Sequence, residues 1–336
     1  MKMKRTEKEY PLCSEWGFAL LSSLLAVSVI LALRYGSADM SLRQFFSALI
    51  GKPSDPTDSV IIYMVRLPRI MAAVLAGVGL SLSGVLLQTV TDNALAGPNI
   101  IGVNAGAGFA VVFTVAFFPM LFDILPICAF VGAFATTVMI VFISGKGTRS
   151  KTSVVLAGVA VTSLLNAFIS AFTLIDTDLL SAFNSFSVGG FSGVTVQRLA
   201  IPAVIVFLCM VTGMILSSRL NTLCIGDAYA TSLGIPVKAV RLVGIVCASA
   251  SAAAVVSYAG LLGFVGLIVP HISRRLVGVK LKPLIGASAL IGATVTTLAD
   301  LLGRVVAAPS EIPVGIMMAF IGAPFFIHLL CRSRDA

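Results

Sequence analysis

Charged side chains are scarce in this chain: Asp, Glu, Lys and Arg make up only 11% of its 336 residues, whereas 58% are hydrophobic. A water-soluble domain needs about a quarter of its residues charged. The mean hydropathy is +1.06, and apolar runs of about 20 residues, each able to cross a hydrocarbon core roughly 30 Å thick, recur along the chain. Because lipid offers the backbone no hydrogen-bond partner, the spans are expected to be helices. No segment between them suffices for a soluble domain, so residues 1–336 are expected to form one transmembrane domain.

The motifs of enzymes and metal sites are also missing. The two histidines lie far apart, and the six cysteines contain no CxxC pair, so neither a metal site nor a disulfide framework is indicated. There is no HExxH, no Gly-x-Ser-x-Gly and no GxxxxGK[ST] loop, so we expect a non-catalytic chain that cannot hydrolyse ATP and binds no cofactor or metal of its own. The net charge of +9 comes without an aromatic-interleaved basic patch. It therefore favours basic cytoplasmic loops over nucleic-acid binding.

The apolar runs predict an all-α integral membrane protein with ten spans. They cover approximately residues 16–35, 70–90, 98–118, 120–144, 154–175, 199–218, 239–259, 260–276, 283–303 and 312–331. Gly260 and Gly263 are the turn points between the seventh span and the short eighth. The basic N-terminus before the first run also fits a signal peptide. A retained span is favoured because Arg34 and Tyr35 stand where a small-residue cleavage site is needed.

The distribution of basic residues indicates the orientation. With the N-terminus in the cytoplasm, sixteen of the 23 Lys and Arg residues fall in inner loops, as the positive-inside rule requires. The seven outer ones are Arg34, Arg43, Lys52, Arg66, Arg69, Arg198 and Arg304. An even number of spans then returns the C-terminus to the cytoplasm.

Small residues recur every four positions on two spans, where neighbouring backbones can approach closely. The two stripes are Ala73, Gly77 and Ser81, and Gly244, Ala248 and Ala252. Ionisable groups in mid-span are nearly absent. Asp300 lies close to the outer end of its span, and Arg304, four residues later on the same helix face, can pair with it.

The scarcity of ionisable groups in mid-span helps to decide between the possible functions. An ion-coupled secondary transporter or a channel for a small solute is the alternative to a subunit driven by partners, but coupled carriers usually place charges in mid-membrane. An intramembrane enzyme would require a catalytic constellation, and Asp300 has no obvious carboxylate partner. Uphill transport would therefore draw its energy from another protein.

Several motifs then occur in a fixed order. They are Arg66-Leu-Pro-Arg69, Ser83-Gly-Val-Leu-Leu-Gln88, Asn93-Ala-Leu-Ala-Gly-Pro98, Ile101-Gly-Val-Asn-Ala-Gly-Ala107, Leu223-Cys-Ile-Gly-Asp-Ala-Tyr-Ala-Thr-Ser-Leu-Gly234, Gly263-Phe-Val-Gly-Leu-Ile-Val-Pro-His271, Asp300-x-x-x-Arg304, Glu311-Ile-Pro-Val-Gly315 and Gly322-Ala-Pro-Phe325. Together they resemble the permease subunits of ABC importers for iron chelates, haem and cobalamin. The resemblance covers roughly residues 60–331.

The resemblance implies a ten-helix permease of the type II ABC importer kind in a bacterial inner or plasma membrane. It implies a second permease, identical or homologous, two ATPase subunits that bind ATP and Mg²⁺, and an extracytoplasmic substrate-binding protein. Transport would proceed by alternating access along the interface between the permeases. A ferric siderophore is the expected cargo, with haem and cobalamin as alternatives.

The loop at residues 219–238 is the expected ATPase-docking segment. Asp227 suits an N-cap and Gly234 a C′ position, so a helix of about two turns is predicted between them. By itself this is also the pattern of a capped connector. By resemblance, the docking residues are Leu223, Gly226, Asp227, Ala228, Ala230, Leu233 and Gly234.

The three arginines of the outer motifs are the expected contacts of the binding protein. Arg66 and Arg69 precede the second span, and by resemblance they join Arg304 in meeting acidic residues of that protein. Charge pairing at a wet rim would aid encounter and orientation. Snorkelling anchors at the membrane interface would explain Arg66 and Arg69 equally well.

The cytoplasmic gate is expected where the resembling family has its inner constriction. The matching residues are Asn93, Leu95, Thr152 and Ser153. Asn93 is also a natural turn residue, and Thr152 or Ser153 a natural helix N-cap. The family commonly has proline after the asparagine, whereas residue 94 is alanine, so a less rigid turn is expected. His271 is read as a partner of loop carbonyls and not as a metal or haem ligand.

Overall fold

The computed structural model describes residues 12–37, 40–50, 55–99, 101–146 and 151–332. Lys2, Lys4, Arg5 and Lys8 of the basic N-terminus, and most of the basic loop before residue 151, lie outside this part. Within it the chain is helical, without a β-strand. The helices are α1 (Glu15–Arg34), α2 (Leu42–Leu49), α3 (Pro56–Val60), α4 (Leu67–Thr91), α5 (Val103–Phe117), α6 (Leu125–Lys146), α7 (Lys151–Ile175), α8 (Thr177–Val188), α9 (Val196–Ile215), α10 (Ser217–Leu223), α11 (Asp227–Ser232), α12 (Val237–Ala259), α13 (Val265–Val277), α14 (Leu281–Val306) and α15 (Val314–Arg332).

Each of the ten predicted spans coincides with one of these helices: α1, α4 to α7, α9, and α12 to α15. In the described part of the chain, seven helical segments are long and apolar enough to cross a membrane, while the apolar helices at Val103–Phe117 and Val314–Ile327 are shorter. The all-α membrane fold is therefore confirmed. That all ten helices cross the bilayer stays a prediction.

Helix α4 is the centre of the bundle. A π-helical turn, Ile61–Arg66, joins it to α3, so that Pro56–Thr91 is one helical segment of 36 residues, and 78% of its most apolar window is buried. Helices α12, α13 and α14 pack around it. A polar or charged group on this helix is therefore held by protein and not by lipid.

The predicted small-residue stripe on α4 lies against α14. A Cβ atom at Gly77 would come within 2.2 Å of the Gly292 carbonyl oxygen, and a Cβ at Gly292 within 2.4 Å of the Gly77 oxygen. Thr296 Oγ1 donates a 2.7 Å hydrogen bond to the Ala73 carbonyl at the same crossing. The two backbones touch because neither glycine has a side chain.

The break predicted at Gly260 and Gly263 between the seventh and eighth spans is confirmed. Helix α12 ends at Ala259, and Gly260 takes φ 69° as its C-cap. A Cβ there would lie 2.4 Å from the Phe186 carbonyl oxygen. Helix α13 then starts at Val265, five residues after Gly260.

Helix α8 was not predicted. Its twelve residues are too few and too polar to register as a span, and it begins where the Asp176 carboxylate accepts a hydrogen bond from the Asp178 amide. It follows α7 directly and packs on α5, where a Cβ at Gly108 would lie 3.0 Å from Phe183. The position of such a short helix is specified by its neighbours and not by its own periodicity.

Contacts between non-helical segments gather at two ends of the bundle. The first comprises residues 33–37, 66–69, 186–193, 258–264 and 300–315, and we call it the arginine end. The second comprises residues 88–97, 217–241 and 271–281, and we call it the short-helix end after α10 and α11. The two ends carry the two sets of predicted functional residues.

Candidate functional sites at the two ends of the bundle

Asp300 is the buried centre of the arginine end. Arg69 Nε lies 3.0 and 3.1 Å from its two carboxylate oxygens, and Arg69 Nη2 lies 2.9 Å from Oδ1. Arg304 Nε lies 3.0 Å from Oδ2, at an angle that makes the contact an ion pair and not an aligned hydrogen bond. The side chain of Asp300 is 2% exposed. One buried carboxylate thus pairs with two guanidinium groups, in keeping with the rule that buried charges are paired.

Arg66 and Arg304 bind the C-terminal end of α1. Arg66 Nη1 donates to the Leu33 and Arg34 carbonyls at 2.7 and 2.8 Å, and Arg304 Nη1 donates to the Tyr35 carbonyl at 3.2 Å. These carbonyls belong to the last turn of the helix and its C-cap, where no intrahelical donor remains. Cations there also suit the negative end of the helix dipole.

Glu311 completes the network from the loop before α15. Its Oε2 lies 2.6 Å from Arg69 Nη1, and its Oε1 accepts a 2.8 Å hydrogen bond from Ser37. Partial burial acts to raise the pKa of Glu311, but the hydrogen bonds from Arg69 and Ser37 outweigh it and hold that pKa below its ordinary value of 4.5. Its side chain is 30% exposed, so this is the accessible member of the cluster.

A cavity of about 720 Å³ opens beside this network. Arg69 and Glu311 form part of its wall, together with Asn184 and Ser185 of α8 and Tyr258 of α12. Uncharged hydrogen-bonding groups therefore share the wall with one ion pair. Apolar residues such as Phe186 and Phe191 complete the wall, and a cavity of this size and mixed lining is in the range of small-molecule sites.

These findings bear on the residues predicted for this end. The expected pair between Asp300 and Arg304 is confirmed. Arg66, Arg69 and Arg304 do meet at one place, but their side chains are buried and occupied within the chain, which differs from the wet rim expected. A role in docking stays a prediction. Glu311 stood in a quoted motif without a role, because a loop residue 242 positions away from Arg69 gives no local sign of pairing.

The predicted docking helix is present at the short-helix end, and its C-terminal stop is confirmed. Gly234 has φ 75°, its amide donates to the Thr231 carbonyl at 2.9 Å, and the Ile235 amide donates to the Ala230 carbonyl at 3.1 Å. This pair of bonds is the Schellman motif. The helix has six residues, slightly fewer than the two turns expected.

The predicted N-cap role of Asp227 is wrong. Gly226, with φ 142°, is the N-cap, and Asp227 is the first helical residue. Its carboxylate instead accepts a 2.8 Å hydrogen bond from Arg241 Nη2 on α12. The long arginine reaches this carboxylate from the next helix, and that tertiary contact replaces the local cap.

The other docking residues divide into anchors and an exposed face. Leu223 and Ala230 are buried against the bundle. Ala228 and Gly234 are exposed, and Leu233 is 58% exposed. Two apolar side chains outside the predicted set, Ile225 and Tyr229, are exposed as well. Helix α11 thus presents an apolar face that nothing in the described part of the chain covers.

The predicted gate turn follows α4 at the same end. Asp92 ends the helix with φ 49°, and Asn93 Oδ1 accepts a 2.9 Å hydrogen bond from the Leu95 amide. Leu95 is 41% exposed. The turn role of Asn93 is confirmed.

Thr152 and Ser153 lie in the first turn of α7, which starts at Lys151, so neither precedes that helix as an N-cap. Their side chains are not among those described, so their part in a gate stays a prediction.

Gln88 joins the end of α4 to α13. Its Oε1 accepts a short hydrogen bond from Arg274, and its Nε2 donates to the Gly266 carbonyl at 3.3 Å.

His271, which also lies on α13, packs edge-on to Phe325, with 6.3 Å between the ring centroids. Its Nε2 atom has no hydrogen-bond partner among the described residues. The carbonyl contact expected of His271 is therefore absent at that atom.

Helix α7 has the least buried face of the long helices. Only 17% of the window Leu156–Ile175 is buried. Its exposed residues include Ser163, Asn166 and Ser170, at helical spacing. An asparagine facing lipid would be costly, so this polar face requires protein or water against it.

Comparison with known proteins places this chain among transport permeases. The model of the FecCD transport family matches residues 24–332. The iron(3+)-hydroxamate import system permease FhuB of Bacillus subtilis is 37% identical over 93% of this chain and 82% of its own length, and the Fe(3+)-citrate import system permease YfmE of the same organism is 34% identical over 98% of each chain. A solved chain described as an inward-facing metal-chelate type ABC transporter superposes with a TM-score of 0.84 at 32% identity, over 94% of this chain and 98% of the other.

Proposed function

This chain belongs to the FecCD transport family and is a permease subunit of an ABC importer for an iron chelate or haem, and we propose that its cargo is a ferric siderophore. The hydroxamate permease named above is a relative with 37% identity, which supports a hydroxamate chelate. Citrate, haem and cobalamin complexes are the competing cargoes. Transport is uphill and is driven by two ATPase subunits.

The exposed face of α11 is the observation that supports the ATPase partners. Tyr229 of this six-residue helix is exposed together with Ile225 and Leu233 on either side of it, whereas Ala230 of the helix and Leu223 at the end of α10 are buried against the bundle. Exposed apolar patches on an otherwise polar loop mark protein interfaces. The predicted docking residues from Leu223 to Gly234 form this element, and we propose that an ATPase binds it.

A second permease is proposed to lie against α7. The polar residues Ser163, Asn166 and Ser170 on its exposed face suit a water-lined pathway between two copies or homologues. They are uncharged, so they can offer hydrogen bonds to a chelate without trapping it. The cavity beside Asn184 and Ser185 of α8 would then form the outer part of this route.

A substrate-binding protein is proposed to deliver cargo at the arginine end. The cavity opens there, and Arg69 contacts its wall. Since Arg66 and Arg304 are engaged with α1, a carboxylate of the binding protein would reach the cluster at Arg69, in exchange for the partly exposed carboxylate of Glu311. This end is accordingly proposed to face outwards.

The inner gate is proposed at the turn of Asn93 and Leu95, with Thr152 and Ser153 at the start of α7. Both segments lie at the end of their helices opposite to the arginine end. With this orientation both termini lie in the cytoplasm and the protein spans the bacterial plasma membrane several times.

Uptake into vesicles tests the proposal. The chain is reconstituted with and without its two ATPases, and accumulation of an ⁵⁵Fe-labelled ferric trihydroxamate is compared with that of haem. We expect ATP-dependent accumulation of the hydroxamate only in the complete complex. Accumulation against a gradient by the chain without ATPases would overturn the mechanism, and a preference for haem would overturn the cargo.

Binding of the ATPases is tested with two matched substitutions. Leu233→Asp places a charge on the exposed face of α11, whereas Val279→Asp does so at a 70% exposed valine between α13 and α14, at the same end. Only Leu233→Asp is expected to release the ATPases during size-exclusion chromatography. Equal retention of the ATPases by both variants would contradict the docking assignment.

A further inference from the structure

We propose that Arg241 is a strut that transmits movement of α11 to the gate turn. The proposal rests on the function proposed above, in which α11 binds an ATPase and residues 93–95 form the gate. Arg241 Nη2 lies 2.8 Å from Asp227 Oδ1, and Arg241 Nε lies 3.2 Å from the Val90 carbonyl oxygen. One guanidinium group therefore bridges the first residue of α11 and the last turn of α4.

The Val90 carbonyl is an acceptor that the helix itself cannot satisfy. In the last turn of α4, the Gln88 carbonyl accepts from the Asn93 amide at 3.2 Å, and the Thr89 carbonyl accepts from the Asp92 amide at 3.4 Å. Helix ends leave such carbonyls without intrahelical donors. Val90 is 2% exposed, and the donor at its carbonyl comes from α12.

The same turn fixes the gate. The amides of Asp92 and Asn93 bond to the end of α4 on one side, and Asn93 Oδ1 then holds the Leu95 amide at 2.9 Å. The path from α11 is thus Asp227, Arg241, the carbonyl end of α4, and the turn. The contacts of Arg241 with Asp227 and with the Val90 carbonyl are polar, and the backbone that follows Val90 continues into the turn.

Arginine is suited to this role and lysine is not. The planar guanidinium presents donors in a rigid fork, so two acceptors in different directions are held at a fixed angle. A lysine ammonium keeps the positive charge but cannot reproduce that bridge. An exposed ion pair such as this one adds little to stability, so its loss should affect coupling more than folding.

The end of α4 is also packed against neighbouring helices. Val90 also packs on Gly244, where a Cβ would come within 2.5 Å, and on the α10 side Leu220 lies 3.6 Å from the same position. These contacts join α4 to α10 and α12. They do not include α11 itself, which contacts α10 and is joined to the end of α4 by the polar contacts of Asp227 and Arg241.

The test measures movement of the gate turn without cargo. The importer is assembled with its two ATPases in lipid nanodiscs, and exposed native cysteines are replaced by serine. Leu95→Cys then reports the rate of labelling by a soluble maleimide, with and without ATP trapped by vanadate. In this parent we expect ATP to change the labelling rate at least about fivefold, the lower end of typical coupling between sites.

Arg241→Gln and Arg241→Lys are both expected to abolish the ATP-dependent change. Lys238→Gln removes a positive charge one turn earlier on α12, and the change should persist. Asp227→Asn should reduce it, and adding Asp227→Asn to Arg241→Gln should cause no further loss, since both remove one connection. Thermal stability and retention of the ATPases are measured in parallel.

The outcomes separate the strut from the function on which it rests. A parent that shows no response to ATP overturns the proposed gate and the strut together. A parent that responds, with Arg241→Lys responding equally, overturns the strut alone and leaves the docking and gate assignments in place. If Arg241→Gln fails to assemble, Arg241→Lys and the exposed Asp227→Asn decide the matter.

Discussion

At the scale of single residues, buried charge dominates the arginine end. Asp300 lies between Arg69 and Arg304, and these three side chains are almost wholly removed from solvent. A buried ion pair is costly to form, but removing one partner is costlier, because the other charge is left without compensation. The cluster therefore constrains where α1, α4 and α14 can sit relative to one another.

Asp300→Asn should destabilise the protein strongly. It leaves Arg69 and Arg304 without their shared counter-charge, a change that typically costs about 3–5 kcal/mol when a buried pair is broken. The thermal unfolding midpoint in detergent should fall accordingly. Asp178→Asn, at an exposed position on α8, serves as the control and should leave the midpoint unchanged; similar midpoints for the two variants would contradict the structure of the cluster.

Glu311 should give the cluster a pH dependence on the acid side. Because its folded pKa lies below the ordinary 4.5, its contribution to stability is complete above that value and is lost as pH falls through the folded pKa. Wild-type stability should therefore decline in this window more than that of Glu311→Gln. Thermal midpoints measured from neutral pH downwards would show parallel curves if the Arg69 contact were absent.

At the scale of elements, α4 is held by close backbone contacts as well as by fully buried leucines such as Leu80, Leu82 and Leu86. Gly77 and Gly292 allow α4 and α14 to touch, and Gly84 approaches the Gly266 carbonyl on α13 in the same way. Small residues are the expected means of packing helices in lipid, where no hydrophobic effect draws them together. Such contacts leave little tolerance for an added methyl group.

Gly77→Ala should disrupt the crossing of α4 and α14. The new Cβ would lie 2.2 Å from a backbone oxygen, so a helix has to move, and overpacking of this kind costs about 1–3 kcal/mol or more. Gly263→Ala is the matched control, since nothing lies within 4 Å of its Cβ position. We expect a lowered thermal midpoint for Gly77→Ala alone, and equal midpoints would mean that the helices are not in contact.

At the scale of the whole molecule, the two candidate sites lie at opposite ends of the bundle. The cavity and the arginine cluster lie at one end, and the apolar face of α11 and the gate turn lie at the other. The long helices α4, α12 and α14 connect the ends. A partner that binds one end can thus affect the other through displacement of rigid helices.

Capture of the loaded substrate-binding protein tests the assignment of the arginine end. Arg69→Gln should weaken capture by the assembled importer, most clearly at low salt, because it removes the positive charge in the cavity wall with which a carboxylate of the binding protein would pair. Arg198→Gln, an exposed arginine in the first turn of α9 and outside the buried cluster, is the control. Thermal stability is measured alongside, and undiminished capture by a folded Arg69→Gln variant would refute the docking role.

The sequence predicted the long helices better than it predicted the contacts between them. The helices α1, α4 to α7, α9 and α12 to α15 follow from apolar runs, since crossing lipid demands both length and apolarity. Helix α8 could not be found this way, because a short turnaround depends on the surfaces of α5 and α7. At the site, Gly234 was readable as a helix stop from its own backbone preference. The partner of the Asp227 carboxylate could not be predicted, because Arg241 reaches it from another helix.

The sequence alone determined that the chain is a helical membrane protein, where its longer helices lie, and which motifs its ends present. Those properties depend on composition and on spacing along the chain. Only the tertiary structure decided that Arg66 and Arg304 bind the end of α1, that Glu311 pairs with Arg69, and that Arg241 joins α11 to α4. Each of these contacts joins residues remote in sequence or on different helices, and a charged side chain takes whichever partner the folded bundle brings within reach.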